Sequence, residues 1–364
     1  MPPTLVFGDK SLKVAWKTPT TPGSPVESYN LQISPAPPSG VTEKTGVTGN
    51  SLTWEGLENG TSYQVRVQAV NRAPEPSSWS EWSLAEIPAG PPMQPAAPTT
   101  AELTPVGDQA QMQVSWVAPN NNGAPITGYQ LQVLEGGTTV RTVPVPAGQT
   151  SQAVVVPTSE AAYSYIVRAE NKASWGQWSP ASAERRGAIR PDAPTKPTIS
   201  AGDRSITITS NYTLTAEQRN GARASEITYQ YLLNGGGGWK NLTSNTIGGL
   251  SNGNDFSLQI RALSNTGTGS YTGVASAASN TVTPFGIPPT PNASARNNGG
   301  NITMSWSSNG DNGAAIQMQI RIRDHNGNWT GWQDVANSGS RNVGGQYSQT
   351  WVIEARATNK AGWG

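Results

Sequence analysis

The chain contains no cysteine and a single histidine, His325, among its 364 residues. The absence of cysteine excludes disulfides, thiolate nucleophiles and cysteine-ligated zinc or iron–sulfur centres. Ser-His-Asp catalysis would depend on His325 alone, but the Asn-Gly that follows it predicts a hairpin turn, and no nucleophile-elbow serine accompanies it. We therefore expect a chain that is not an enzyme, with no catalytic residue, no metal site and no cofactor.

Charge is also scarce, because only 13% of the residues are charged, and 24 basic against 23 acidic side chains leave a net charge of +1. No basic field exists that could neutralise nucleic-acid phosphates or an anionic bilayer. No apolar run is long enough to span a membrane, and Met1-Pro2-Pro3 lacks the basic start of a signal peptide. We expect neither nucleic-acid binding nor direct membrane contact, and an export signal or anchor would lie outside this sequence.

The sequence does have an internal repeat. A shift of 100 positions superposes rare residue types of the first two copies, and weaker matches mark a third and a fourth copy. The matches are Trp16 with Trp116, Pro19 with Pro119, Gly23 with Gly123, Tyr29 with Tyr129, Tyr63 with Tyr163 and Asn71 with Asn171, then Tyr229, Asn265, Trp306 and Asn359. We predict four domains, with boundaries at 1–91, 92–190, 191–286 and 287–364.

Each copy alternates apolar and polar residues, as in 63–69 and 129–133, which is the period of a half-buried strand. Turn-forming Gly-Asp and Asn-Gly clusters separate such segments, and no helical apolar stripe of ten residues occurs. Proline-rich linkers at 88–92, 190–194 and 286–289 predict semi-stiff connections between the copies. The predicted fold class is all-β, with four tandem immunoglobulin-like β-sandwiches, the last one incomplete.

Residues 56–71 resemble the E–F corner and F strand of a fibronectin type III domain, where a Leu six positions before a Tyr forms the tyrosine corner. Leu57 and Tyr63 have this spacing. The second-strand Trp (Trp16, Trp116, Trp306) and the third-strand Tyr (Tyr29, Tyr129, Tyr229) fit the same family. The resemblance covers nearly the whole chain and implies seven strands in two antiparallel sheets. We expect the three second-strand Trp side chains to be buried.

The later copies depart from this pattern. Phe256 occupies the corner position of the third copy, so the corner hydroxyl is lost there, and Ile208 replaces the second-strand Trp. The fourth copy has Trp351 at the corner and ends soon after Asn359, before its seventh strand. We therefore expect its F strand to have an unpaired edge, and the sequence to be part of a longer protein.

Thirteen Trp stand against three Phe, and six of them form Trp-x-x-Trp pairs. Residues 78–83 resemble the WSxWS motif of type I cytokine receptors, whose rings interleave with arginines of the F strand; the paired cysteines of those receptors are missing here. The resemblance implies cation–π stacks formed by Trp79, Trp82, Trp175, Trp178, Trp329 and Trp332 with Arg66, Arg168 and Arg356. Because strand positions i and i+3 face opposite sides, we expect a bulge or twist at each pair.

The Trp pairs leave three interpretations open: a structural stack, a platform that binds carbohydrate or protein, and eukaryotic C-mannosylation. The leading prediction for the chain is an extracellular or cell-surface spacer or interaction stalk within a larger protein. The alternatives are an adhesin with a carbohydrate or protein partner, an accessory region of a secreted polysaccharide hydrolase, and a phage tail decoration. The glycine-rich hairpin at 235–239 and residues 338–351 resemble repeats of long actinobacterial surface proteins.

Overall fold

A computed structural model describes residues 1–20, 24–267, 269–345 and 349–364. Gly23 and residues 346–348, which entered the sequence comparison, lie outside the described residues. Strands dominate, and the helical structure of the described residues is one 3₁₀ turn, Ala224–Glu226. The prediction of an all-β fold is confirmed. No helix in the described part of the chain is long and apolar enough to cross a bilayer.

The chain divides into two compact units, residues 1–189 and 190–364. Each unit holds two β-sandwiches, numbered here 1 and 2 in the first unit and 3 and 4 in the second, and each sandwich has two antiparallel sheets. The four domain boundaries given above remain a prediction.

The strands of the first unit follow the alternating segments of the sequence. Sandwich 1 contains β1 (Thr4–Gly8), β2 (Ser11–Ala15), β3 (Ser28–Ser34), β4 (Glu43–Val47), β5 (Ser51–Glu55) and β6 (Gln64–Val70). Sandwich 2 contains β7 (Thr99–Val106), β8 (Gln109–Ser115), β9 (Gly128–Glu135), β10 (Thr138–Pro146), β11 (Ser151–Val156), β12 (Ala162–Glu170) and β13 (Arg185–Arg186).

The second unit repeats this order. Sandwich 3 contains β14 (Ile199–Gly202), β15 (Ser205–Ile208), β16 (Ile227–Leu233), β17 (Gly236–Asn241), β18 (Thr246–Gly248), β19 (Leu258–Asn265) and β20 (Ser270–Thr272). Sandwich 4 contains β21 (Asn292–Asn297), β22 (Asn301–Ser307), β23 (Gln317–Arg323), β24 (Gln333–Val335), β25 (Ser338–Gly344), β26 (Val352–Asn359) and β27 (Gly362–Trp363).

The same topology recurs in every sandwich. One sheet joins the first, second and fifth strands, and the other places the third strand between the fourth and the sixth. We call the third strand C and the sixth strand F: β3 and β6, β9 and β12, β16 and β19, β23 and β26. Residues of F that point inward fill the core between the sheets, as Val65 and Val67 do in sandwich 1. Residues at the alternate positions of F lie on the outer face of the sheet.

Aromatic pairs occupy one end of three cores. Trp16 meets Tyr29 edge-to-face at 5.2 Å, and Trp116 meets Tyr129 in the same way at 5.5 Å. In sandwich 3, where Ile208 replaces the Trp, the ring comes from Tyr212, which lies 5.1 Å from Tyr229. Tyr212 lies four positions after Ile208, so an alignment of the second-strand Trp residues does not identify it as the core ring.

Trp16 and Trp116 are buried as expected, but Trp306 is only half-buried. Its indole N–H donates to the backbone carbonyl of Ala336 at 3.0 Å, so the polar edge of the ring lies at the margin of the core. The expectation of full burial for Trp306 is corrected accordingly.

The corner tyrosines differ from one another. The Tyr63 hydroxyl accepts a hydrogen bond from the Glu58 backbone N–H at 3.2 Å, whereas the Tyr163 hydroxyl donates to the Glu135 carboxylate at 3.1 Å. Phe256 keeps only the backbone part of the corner, where it exchanges two hydrogen bonds with Val282.

The edge of β26 was expected to be unpaired, and this expectation is wrong at its end. β27 pairs with Thr358 and Asn359. The Asn359 side chain accepts a hydrogen bond from the Ala361 N–H, which turns the chain back within two residues.

We predict that Tyr63→Phe lowers the local stability of sandwich 1 by about 1 kcal/mol, because the Glu58 N–H loses its acceptor. Hydrogen exchange of the β6 amides measures this change. The β12, β19 and β26 amides of the same molecule serve as the internal control and should be unaffected. Unchanged β6 exchange would show that the corner hydrogen bond contributes nothing.

Candidate functional site

One arginine on the outer face of F is paired with one glutamine on C in every sandwich. The partners lie directly opposite in the strand register, and the arginine Nε and Nη2 both donate to the glutamine Oε1 at 2.6–3.0 Å. The pairs are Arg66 with Gln32, Arg168 with Gln130, Arg261 with Gln230, and Arg356 with Gln319. Neither the glutamines nor Arg261 was identified from sequence, although each lies at an outward position of an alternating strand segment, which was a usable signal.

In the first unit, the two guanidinium groups paired in this way each lie between two Trp rings. The Arg66 carbon lies 5.1 Å from the centre of the Trp79 ring and 4.7 Å from that of Trp82. Arg168 lies 4.8 Å from Trp175 and 4.5 Å from Trp178. We call such a set an arginine–tryptophan stack; the glutamine fixes the plane of the guanidinium, and the rings cover its faces.

No bulge brings Trp79 and Trp82 to one side, contrary to the expectation from strand geometry. The segment that carries them is not a strand, and every third residue of it pairs with F. The N–H groups of Ser77, Ser80 and Ser83 donate to F-strand carbonyls, and their hydroxyls accept from the N–H of the same F residues. A period of three residues is that of polyproline II, so positions i and i+3 share a face.

The same serine spacing recurs in sandwiches 2 and 3. Ser179 and Ser182 pair with β12, and Ser276 and Ser279 pair with β19. In sandwich 3 the segment that follows F carries no Trp. Trp239 of β17, at the opposite edge of the sheet, covers Arg261 instead, and its ring centre lies 4.3 Å from the guanidinium carbon. Sequence analysis missed Trp239 because it is unpaired and lies before F in the chain.

In sandwich 4 the stack extends across the whole sheet, and its Trp pair precedes F in the chain. Trp329 and Trp332 lie beside β23, on the opposite edge from the segment that follows F. The order of the stack is Trp329, Arg321, Trp332, Arg356 and Trp363, with ring-to-guanidinium distances of 4.4, 4.8, 4.0 and 3.9 Å. Arg321 and Trp363 were not identified from sequence.

A second site is the joint between sandwiches 1 and 2, where three polar side chains meet. The Asn59 side-chain N–H₂ donates to Asp9 at 2.7 Å and to the Asn122 side-chain oxygen at 2.8 Å. Asn122 in turn donates to the Pro91 carbonyl at 3.0 Å. Asn59 belongs to sandwich 1 and Asn122 to sandwich 2, so an amide–amide hydrogen bond connects the two domains.

The joint between sandwiches 3 and 4 has the same construction. Asn252 donates to Asp203 at 2.7 Å and to Asn312 at 2.6 Å, and Asn312 donates to the Ile287 carbonyl at 2.8 Å. A Cβ at Gly123 or Gly313 would lie 2.6 Å or less from backbone atoms of the neighbouring domain and linker, so both joints need glycine here.

The repeated Asn after F explains part of this geometry. Asn171 is buried and donates to the carbonyls of Gly90 and Asn121, both at 2.8 Å. Asn359 makes the corresponding bonds to Gly286 and Asp311 at 2.8 and 3.1 Å. In sandwiches 2 and 4 the Asn that aligned the repeats thus holds the preceding linker against its own domain.

A lysine then lies over a phenyl ring at each joint, but the ring comes from different places. The Lys172 ammonium is 4.2 Å from the centre of Phe7, and the Lys360 ammonium is 3.8 Å from the centre of Phe285. Where sandwich 1 has Phe7 and the linker has Ala89, sandwich 3 has Ala201 and its linker has Phe285. The Ala89 and Phe285 N–H groups donate to the equivalent carbonyls of Gly8 and Gly202. The phenyl ring therefore comes from the first strand in one joint and from the linker in the other, and in both it packs under the lysine.

Electrostatics at the first joint involve Glu86 and Lys172, whose charged atoms lie 3.0 Å apart. Burial raises the pKa of Glu86, but the hydrogen bond and charge of Lys172 and the Ile87 N–H outweigh it and lower the pKa below its ordinary value. Among the described residues no cluster of three or more metal-binding side chains occurs.

We predict that Arg66→Ala destabilises sandwich 1 by about 1–3 kcal/mol, because it removes two ring contacts and a charged hydrogen-bonding group. Exchange rates of the Val65 and Val67 amides on β6 measure the loss. The matched control is Arg72→Ala: that side chain is 82% exposed and, within the described part of the chain, pairs with Glu27 alone, so a change within about 0.5 kcal/mol is expected. Equal effects of the two variants would contradict a stabilising stack.

We also predict that Lys172→Ala raises the pKa of Glu86, because the positive partner is removed and the burial remains. Since the folded-state pKa is lowered, the stability that Glu86 contributes exists above its unfolded pKa and is lost as pH falls through the folded value. An NMR titration of the Glu86 carboxyl carbon measures this pKa in the original chain and in the variant. Lys17→Ala, at an exposed position, serves as the control and should leave the titration unchanged.

Comparison with known proteins supports the fold. The fibronectin type III domain model matches residues 3–84 and 96–185, slightly less than half of the chain. Neogenin of Mus musculus and Neogenin of Rattus norvegicus are each 27% identical to this chain over 146 residues. The match covers 38% of this chain and 10% of either Neogenin, so it spans about a tenth of those proteins.

The crystal structure of chicken CNTN1 FN1–FN3 domains is 18% identical and covers 76% of this chain and 96% of that one, with a TM-score of 0.28. A TM-score this low supports no statement about domain arrangement. The resemblance to actinobacterial surface repeats stays a prediction. The two family matches coincide with sandwiches 1 and 2, and this chain therefore contains fibronectin type III domains.

Proposed function

We propose that this chain is a non-catalytic spacer or interaction stalk of a larger extracellular protein, in which the joints hold neighbouring domains in a fixed relation. Fibronectin type III domains are generally non-catalytic and are typical of spacer and interaction regions of multidomain proteins. The observation that carries the proposal is the duplicated joint, in which Asn59, Asp9 and Asn122 of one unit correspond to Asn252, Asp203 and Asn312 of the other.

The chemistry of the joint suits a spacer. A linker made only of proline restricts bending through the chain itself, but these joints add side-chain hydrogen bonds on both sides of the linker. Gly90, for example, donates its N–H to Asn122 and accepts from Asn171. Each joint has one phenyl ring under its lysine, Phe7 in the first and Phe285 in the second. The two rings come from different positions, which indicates that the joint requires a ring at this place and not a residue at one fixed position.

The outer sheet face favours a structural use of most Trp residues. A sugar or an apolar side chain binds a Trp through its ring face, and guanidinium groups already cover faces of Trp79, Trp82, Trp175 and Trp178. At the ends of the longest stack, Trp329 and Trp363 are 37% and 48% exposed. A binding role for the Trp pairs is therefore the weaker alternative.

We predict that Asn122→Ala broadens the distribution of distances between sandwiches 1 and 2. Because the chain has no cysteine, Thr53→Cys and Thr142→Cys place two spin labels at exposed sites, one on each domain, without a competing thiol. Double electron–electron resonance on the full chain measures the distribution, which should be narrow before Asn122 is replaced.

The matched control is Gln149→Ala, an exposed amide of sandwich 2 outside the joint, which should leave the distribution narrow. A broad distribution in the chain that carries only the labels would overturn the fixed joint, and with it the spacer function in this form.

A further inference from the structure

We propose that Asn59 and Asn252 are deamidation sites whose conversion to aspartate or isoaspartate permanently opens the two joints. Each is followed by glycine, as Asn59-Gly60 and Asn252-Gly253. The inference goes beyond the spacer function, since it assigns a chemical modification and a consequence to residues that otherwise only hold the domains together.

The reaction needs only water. The backbone nitrogen of the glycine attacks the asparagine Cγ and loses its proton, the bond from Cγ to the side-chain nitrogen breaks, and ammonia leaves with that proton. The resulting succinimide is opened by one water molecule at either carbonyl, which gives aspartate or isoaspartate. Glycine favours this step because no Cβ hinders the approach of its nitrogen.

Deamidation of Asn59 would place a negative charge next to the Asp9 carboxylate and the Asn122 side-chain oxygen. The amide of Asn59 donates two hydrogen bonds, to the Asp9 carboxylate at 2.7 Å and to the Asn122 oxygen at 2.8 Å. A carboxylate in its place donates neither bond, and it lies within hydrogen-bond distance of a second carboxylate, where like charges repel. Asn252 faces Asp203 and Asn312 in the same way.

The closed joint also controls the rate of the reaction. The Gly60 N–H donates to the Pro88 carbonyl, and the Gly253 N–H donates to the Pro284 carbonyl, both at 3.0 Å. The attacking nitrogen is thus engaged as long as the joint is closed, and the Asn59 oxygen accepts from the Lys10 N–H. Deamidation therefore follows opening, and it converts a transient opening into a lasting one.

The chain supplies its own reference site. Asn326-Gly327 lies at an exposed hairpin turn, and no hydrogen bond of the Asn326 side chain occurs among the described residues. The Gly327 N–H donates to the Asp324 carbonyl at 3.1 Å, but this bond lies within the turn itself and does not depend on a joint between domains. During incubation of the full chain in mildly alkaline buffer, peptide mapping by mass spectrometry should detect deamidation at Asn326 before Asn59. Asn122→Ala should accelerate reaction at Asn59 about tenfold, which corresponds to about 1.4 kcal/mol of joint closure.

The consequence is tested with the spin labels on sandwiches 1 and 2. Asn59→Asp should broaden their distance distribution, whereas Asn326→Asp should not. Adding Asp9→Asn to Asn59→Asp removes the repulsion and returns an amide donor to the pair within sandwich 1, so the distribution should narrow in part, while the bond to Asn122 stays lost. Unchanged amide exchange on β6 and β12 shows that both domains remain folded in each variant.

Two results would overturn the proposal. One is deamidation of Asn59 at the rate of Asn326 in the native chain, which would mean that the joint gives no protection. The other is a distance distribution for Asn59→Asp as narrow as that of the chain carrying only the labels, which would mean that the added charge does not open the joint.

Discussion

The core, the arginine–tryptophan stack and the paired serine segment all depend on the F strand, because its side chains alternate between the two sides of one sheet. Inward residues such as Val65 and Val67 fill the core, while Arg66 at the position between them lies outside against Gln32. The free edge of the strand pairs with serines at every third position. Core, outer face and edge are thus set by the conformation of one short segment.

The arginine–tryptophan stack shows which part of this arrangement is constrained. The arginine and glutamine keep their places in all four sandwiches, since they are direct neighbours in the strand register. The rings do not keep theirs, because a guanidinium has two faces that can be reached from either edge of the sheet. Trp239 therefore replaces the pair of sandwich 1 from the opposite side.

The joints likewise keep an interaction while the residue that supplies it differs. Two asparagines, one aspartate and close backbone approaches recur, and the phenyl ring beneath the lysine comes from the first strand in one joint and from the linker in the other. The interaction is conserved between the joints, but the residue that supplies it is not. A short hydrogen-bonded contact between domains depends on a few polar groups, which makes it sensitive to the loss of any one of them.

Much of the fold could be predicted from sequence. The two-residue alternation and the copied Trp, Tyr and Asn positions indicated four sandwiches because both patterns are local in the chain. The resemblance to the WSxWS motif indicated Arg66, Arg168 and Arg356, and alternation along the strand places all three on the outer face of F. Trp329 and Trp332 have the spacing of the other pairs but precede F, and Trp332 covers Arg356 while Trp329 covers Arg321, which sequence reasoning did not identify.

The sequence by itself thus determined the strands, their inward and outward faces and the repeat, all of which depend on residues close together in the chain. Tertiary structure alone decided which ring covers which guanidinium, that Tyr212 takes the place of a missing Trp, and that Asn59 meets Asn122 across a linker. These contacts join residues separated by many positions, and several residue types satisfy each of them. Only the folded backbone brings one candidate within reach and excludes the others.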